Sequence, residues 1–245
     1  MTGPHPGSAT AFEELVDVYD AARPRYPKAL YDDALPDLSG DVLELGAGTG
    51  IATRELVSRA GRLVSTDLGP KMLGRLHERS PEVPVVVCRS EALPFRGGSF
   101  DVVCGAQMWH WVDVDLAVPE VLRVLRPGGA LAVWWNEVAA DGLPWWDAQQ
   151  DRLEAGNPRY RRGYRARDYG AELAPWFSSV QHWTTTWERT LDWATYEQRL
   201  RSKSYVQALD DVEAFIEAER ISLADAFPDG RIVEPFGVSL WVARR

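Results

Sequence analysis

Strands and helices alternate along the first 136 residues, and the strands are apolar at nearly every position. DVLEL (41–45), RLVSTD (62–67), VPVVVCRS (83–90), FDVVCGA (100–106) and ALAVWWNE (130–137) read as five strands. TGIATRELVSRA, PKMLGRLHERS and DLAVPEVLRVLRPGG carry helical spacing. Thr49 is placed to cap the first helix, Pro70 takes a favoured first-turn position in the second, and glycines close the third. Strands this apolar need cover on both faces, which a parallel sheet with right-handed crossovers provides. The expected class is α/β and doubly wound.

The flanking segments are less regular. Residues 1–10 read as a disordered tail and 11–21 as a helix, stopped by Pro24 and Pro27; a short helix follows over 28–35. Beyond residue 136, helices are expected over 144–155, 195–209 and 211–227, with strands over 180–190 and 231–245. This divides the chain into a lid segment (1–36), a core (37–136), and sheet-completing strands with a helical cap (137–245).

Bulk properties exclude several roles. A net charge of -9 argues against a broad basic surface, so nucleic acid and anionic membranes are poor default partners. Apolar runs are strand-sized, and the first ten residues lack the charged and apolar regions of a signal peptide, so a cytoplasmic protein is expected. Cys88 and Cys104 sit in apolar runs, without the closely spaced ligands of a metal site. They are expected as buried, reduced thiols within strands, with no metal bound.

The turn after the first strand carries the chemistry. Gly46, Gly48 and Gly50 are not followed by the Lys of a phosphate-binding loop, and their spacing is one residue tighter than the dinucleotide G-x-G-x-x-G. Gly46 and Gly48 let a ligand approach bare backbone, whereas Gly50 is expected to serve helix–strand packing. Asp67 ends the second strand, where a carboxylate can accept both hydroxyls of a ribose. A nucleoside ligand is therefore indicated.

Four blocks in order, VLELGAGTG, STDLGPKML, RSEALPFRGGSFDVV and LRVLRPGGALAV, resemble class I S-adenosylmethionine-dependent methyltransferases. Within that class, the chain is similar to the small-molecule branch of ubiquinone/menaquinone-type and trans-aconitate-type enzymes (methyltransferase type 11). The leading YDAARPRYP resembles the segment such enzymes place before the fold. The resemblance implies a Rossmann-like, seven-stranded sheet, mostly parallel with an antiparallel last strand. It implies S-adenosyl-L-methionine as cofactor, S-adenosyl-L-homocysteine as product, and a small-molecule acceptor. Gly46, Ala47 and Gly48 would line the methionine part, and Glu44 would help position that loop and the cofactor's amino group. Asp67 would hold the ribose. Leu68 and Met72 would pack beside the adenine, flanked by Ser90, Glu91 and Ala92. Gln107 would face the reacting end.

Methyl transfer needs proximity and alignment, and a base only where the nucleophile must lose a proton. His110, in QMWHWVD just past the fourth strand, is the candidate base; the alternative is a histidine stacked in an aromatic cluster. Tyr19 is a candidate cofactor contact, with Arg23 and Tyr26, because the leading segment can close as a lid. Trp134 and Trp135 should face opposite sides of their strand, while Trp145 and Trp146 are candidates for an aromatic substrate wall. RYRRGYRAR (159–167) could grip a substrate carboxylate or phosphate, or be a solvated loop; His182 and Tyr205 lie in the cap. Three further readings remain: a nicotinamide oxidoreductase on a similar sheet, a family member that binds cofactor without methyl transfer (a scaffold or cyclisation catalyst), and an RNA methyltransferase. The acceptor atom and the oligomeric state stay open.

Overall fold

A computed structural model describes residues 24–162 and 167–245. The expected helix over 11–21, with Tyr19 and Arg23, lies outside the described residues.

The most apolar run occupies the middle of the sheet. β1 (Asp41–Leu45) pairs in parallel with β2 (Arg62–Asp67) on one side and with β4 (Phe100–Ala106) on the other. The full order is β3-β2-β1-β4-β5-β7-β6, where β3 is Val85–Val87, β5 Leu125–Val138, β6 Ser179–Leu191 and β7 Ile232–Arg244. β7 runs antiparallel between β5 and β6, in register from Ala130↔Arg244 to Val138↔Phe236 on its β5 side. The seven-stranded, mostly parallel, doubly wound sheet with its antiparallel last strand is thus as the sequence indicates.

Crossover elements cover both faces, as expected for strands buried on two sides. α1 (Thr53–Leu56) and α2 (Pro70–Arg79) lie on the face where Val42, Leu56, Leu73, Leu76, Cys104 and Trp134 pack. α3 (Val114–Val124) helps bury Leu43, Val103, Trp109 and Trp135 on the other. Trp134 and Trp135 therefore do face opposite sides. A third apolar cluster lies in the cap, built by α4 (Pro144–Gly156), α6 (Trp193–Arg201), α7 (Ser204–Gln207) and α8 (Val212–Ala226) around Trp145, Leu153, Tyr196, Phe215 and Leu223. α5 (Tyr169–Leu173) instead packs Tyr169 and Leu173 against the α3 side of the sheet. Among the described residues, no helix is long and apolar enough to cross a membrane.

Several local expectations need correction. The glycines of LRPGG do not close α3, which ends at Val124 with Leu125 already extended. They form an irregular start to β5: the register shifts between Phe100↔Leu125 and Val102↔Ala130, Gly128 has φ 78°, and a Cβ on Gly129 would stand 2.8 Å from the Asp101 carbonyl. Thr49 is not the cap of α1; the cap position is Ala52, with no side-chain cap bond. β3 stops at Val87, so Cys88 lies beyond the strand and is only half-buried, whereas Cys104 is buried in β4 as expected. The helix expected over 195–209 breaks between α6 and α7 at Ser202–Lys203.

Candidate active site

β1 and β4 are neighbours in space while their crossovers run to opposite sides, so their carboxyl ends open a crevice at the point where strand order reverses. The glycine turn stands there. Gly46, Gly48 and Gly50 all have left-handed backbone, with φ 59°, 56° and 86°. A Cβ on Gly46 would lie 2.6 Å from Met108 Cβ, and one on Gly50 would lie 3.0 Å from Leu76, so those two glycines serve packing as well as the turn. A Cβ on Gly48 would meet nothing within 4 Å. Its bare backbone faces a cavity of about 400 Å³ that Gly46, Ala47 and Thr49 also line.

Two carboxylates flank this turn. Asp67 accepts from Gly48 N at 2.9 Å and from Gly69 N at 2.8 Å, tying the turn to the start of α2. Glu44 is 1% exposed and lines the cavity from beneath. Its Oε2 accepts from Thr53 Oγ1 at 2.6 Å and Ser65 Oγ at 2.7 Å. Burial outweighs those hydrogen bonds and pushes its pKa up to about 7.

The far wall comes from the ends of β4 and β5. Gln107 also has left-handed backbone, at φ 58°, which is uncommon for a residue with a side chain and a mark of a constrained site. Its amide nitrogen donates to the Asn136 carbonyl at 2.7 Å. Asn136 in turn donates to the Arg25 carbonyl at 3.1 Å and accepts from Trp187 Nε1 at 3.0 Å, pinning the leading segment and β6 to the mouth of the sheet. Tyr26 reaches the cavity from that segment and packs edge-on against Trp134, with ring centroids 5.9 Å apart.

The remaining sequence candidates divide. Glu44, Gly46, Ala47, Gly48 and Gln107 converge on the cavity. Asp67 touches the turn from behind it. Leu68 is 51% exposed beside Asp67, and Met72 is buried in α2. Ser90 and Ala92 lie in a tight turn closed by the Ala92 N to Arg89 O bond at 3.2 Å, off the cavity wall. Glu91 is already engaged, accepting from Asp113 N at 3.0 Å.

His110 does not line the cavity. Its Nδ1 accepts from Trp135 Nε1 at 3.3 Å, and its ring stacks at a tilt on Trp111, 4.8 Å between centroids. That bond occupies the lone pair a neutral imidazole would use as a base. His182 stacks on Trp241, away from the cavity. Of the tryptophan pair, Trp146 lines the cavity while Trp145 packs into the cap core against Phe227.

Residues that sequence reasoning did not single out complete the wall: Asn136 and Glu137 at the end of β5, Gln150 on α4, Arg199 on α6, Lys203 and Phe236. The rule that ligands gather beyond the carboxyl ends of parallel strands could have found the first two. Gln150, Arg199 and Lys203 come from the helical cap, whose placement no local pattern encodes, and Phe236 comes from β7. Among the described residues of the 159–167 segment, Tyr160 and Arg162 reach the cavity, and Arg162 is paired with Asp151 at 2.5 Å and Asp147 at 3.5 Å.

Known proteins resemble this chain in sequence and fold. The family described as "Methyltransferase domain" matches residues 43–133, which span the glycine turn to β5. An uncharacterized methyltransferase of Mycobacterium tuberculosis is 36% identical over 84% of this chain and 81% of its own length. A trans-aconitate 2-methyltransferase of Azoarcus is 29% identical over 92% of this chain and 93% of its own. A solved structure from Anaeromyxobacter dehalogenans, described as a type II methyltransferase, is 26% identical and covers 91% of this chain and 97% of its own, with a TM-score of 0.71.

Proposed function

Because the chain belongs to the methyltransferase family, we propose that it transfers the methyl group of S-adenosyl-L-methionine to a small organic acceptor held in the cavity. One observation carries the cofactor assignment. The left-handed Gly46–Gly48 turn faces open space, Asp67 ends the neighbouring strand, and the buried Glu44 lies below. A backbone cradle that a side chain at position 48 would invade suits a ligand that approaches the main chain closely. A carboxylate ending β2 suits ribose hydroxyls.

When bound, the cofactor supplies a methyl group on a sulfonium, whose departure as a neutral thioether needs no acid. The chain's own part is to bind, align and keep out water. Gly46, Ala47 and Gly48 would hold the amino-acid end. Asp67 would accept the ribose hydroxyls, and the exposed Leu68 would cover the base. Gln107, locked by Asn136, would border the transfer point, and Tyr26 and Trp146 line the same cavity with aromatic rings, which would favour a cation. Residues 137–245 supply the acceptor side, so acceptor choice lives in the cap. No base is assigned to His110, whose Nδ1 is committed to Trp135. An acceptor already nucleophilic at neutral pH fits a site built this way.

Titration calorimetry with S-adenosyl-L-homocysteine, followed by transfer of labelled methyl from S-adenosyl-L-methionine into a metabolite extract, tests this reading. Binding and a labelled small product are expected. Folded protein that binds neither form of the cofactor overturns it, and binding with no labelled product favours a non-transferring member of the fold.

A further inference from the structure

The cavity has a charge polarity. Its acidic lining residues, Glu44, Glu137 and Asp141, come from the sheet and the loop that leaves it, while its cations, Arg162, Arg199 and Lys203, come from the cap. Asp141 accepts from Trp146 Nε1 at 3.2 Å, Glu44 from Thr53 and Ser65, and Arg162 pairs with Asp151. Arg199 differs. It is 3% exposed, and it shares the single carboxylate of Glu234 with Arg189, whose Nη2 lies 2.8 Å from Glu234 Oε2. Two guanidinium groups on one buried carboxylate leave one positive charge in excess behind the cavity wall. Arg199 Nε has no hydrogen-bond partner among the described residues, and the same holds for Nε2 of Gln150, also 3% exposed on that wall. Buried donors are ordinarily satisfied, and leaving one unpaired costs more than a hydrogen bond is worth. Two such donors, on residues that line one cavity and beside a cluster with more guanidinium than carboxylate, describe a seat for an anion, with Trp146 and Phe236 as apolar walls.

We propose that the acceptor is a small organic anion, a carboxylate or a phosphate monoester, whose charged group is received by Arg199 with Gln150 and Lys203 at the cap end of the cavity. The proposal rests on the methyltransferase reading above, since it places the cationic cofactor at the acidic sheet end and the anionic acceptor at the basic cap end. A planar guanidinium fork favours either acid by paired hydrogen bonds.

The test uses the full chain saturated with S-adenosyl-L-homocysteine. Melting temperature is followed against a panel of aliphatic and aromatic carboxylic acids, their matched amides, and the corresponding phosphate monoesters. At least one acid or monoester should raise the melting temperature while its neutral counterpart does not; the two arms distinguish carboxylate from phosphate. Calorimetry with that compound should show at least tenfold weaker binding in Lys203→Gln and Gln150→Leu, with affinity for S-adenosyl-L-homocysteine within about twofold of wild type. Arg199→Gln should abolish anion binding, and the other two variants keep the test decisive if it does not fold. Neutral compounds binding as well as the anions, no compound binding at all, or anion binding untouched by the variants would each overturn the proposal. Failure of S-adenosyl-L-homocysteine to bind would instead overturn the methyltransferase reading.

Discussion

Glu44 is a carboxylate buried where water cannot help it, under a turn proposed to receive a cation. Its pKa, pushed up to about 7 from an ordinary 4.5, makes the folded state bind a proton that the unfolded chain has released. The stability it permits is present below about pH 4.5 and lost as pH rises through about 7. The loss is on the order of 3 kcal/mol for a shift of this size. Urea midpoints measured from pH 5 to 8 should therefore fall with rising pH more steeply in wild type than in Glu44→Gln; parallel curves would show that Glu44 is ionised throughout. A cation beside Glu44 pulls its pKa back down, so binding S-adenosyl-L-methionine near pH 6 should release a proton, seen as buffer-dependent heat in calorimetry. Asp67→Ala removes an acceptor for Gly48 N and Gly69 N and, in the proposed complex, for the ribose. Its affinity for S-adenosyl-L-homocysteine should drop by about 1–3 kcal/mol; unchanged affinity would remove Asp67 from the site.

The glycine turn separates two jobs that look identical in the string GAGTG. Gly46 and Gly48 have nearly the same φ, yet only Gly46 has a neighbour, Met108, that a methyl group would strike. Gly46→Ala adds overpacking, typically about 1–3 kcal/mol, to the left-handed penalty of roughly 1–2 kcal/mol, and should lower the melting temperature markedly. Gly48→Ala incurs the backbone penalty alone, and its methyl group enters the cavity. It should keep most of its stability and lose cofactor affinity, measured side by side by thermal melts and calorimetry. The same contrast explains why LRPGG misleads as a pattern. Its glycines resemble a helix stop, but they are needed because β5 must shift register against β4 close to the Asp101 carbonyl. Likewise, the placement of Glu91 in a ligand-flanking turn is visible in sequence, while its bond to Asp113 N depends on where α3 begins.

Over the whole molecule, a buried ion cluster joins cap to sheet: Glu234 on β7 receives Arg189 from β6 and Arg199 from α6. Glu234→Gln leaves the buried Arg199 and the partly buried Arg189 without their counter-charge and should destabilise the protein by about 3–5 kcal/mol in urea denaturation. A loss below 1 kcal/mol would show that water reaches the cluster. The sheet, its parallel core, the glycine turn and the two carboxylates beside it were readable because they rest on local rules. Burial on both faces demands continuous apolar strands, left-handed turns demand glycine, and a strand-end acid at fixed spacing reaches the same crevice. The cap end of the cavity was not readable in that way. Arg199, Gln150 and Lys203 look like ordinary polar residues on helices, and RYRRGYRAR looked like the more obvious anion grip. Which charges face the ligand depends on how the cap helices pack on one another and which carboxylate each arginine meets, and those long-range contacts leave no periodic trace in the chain.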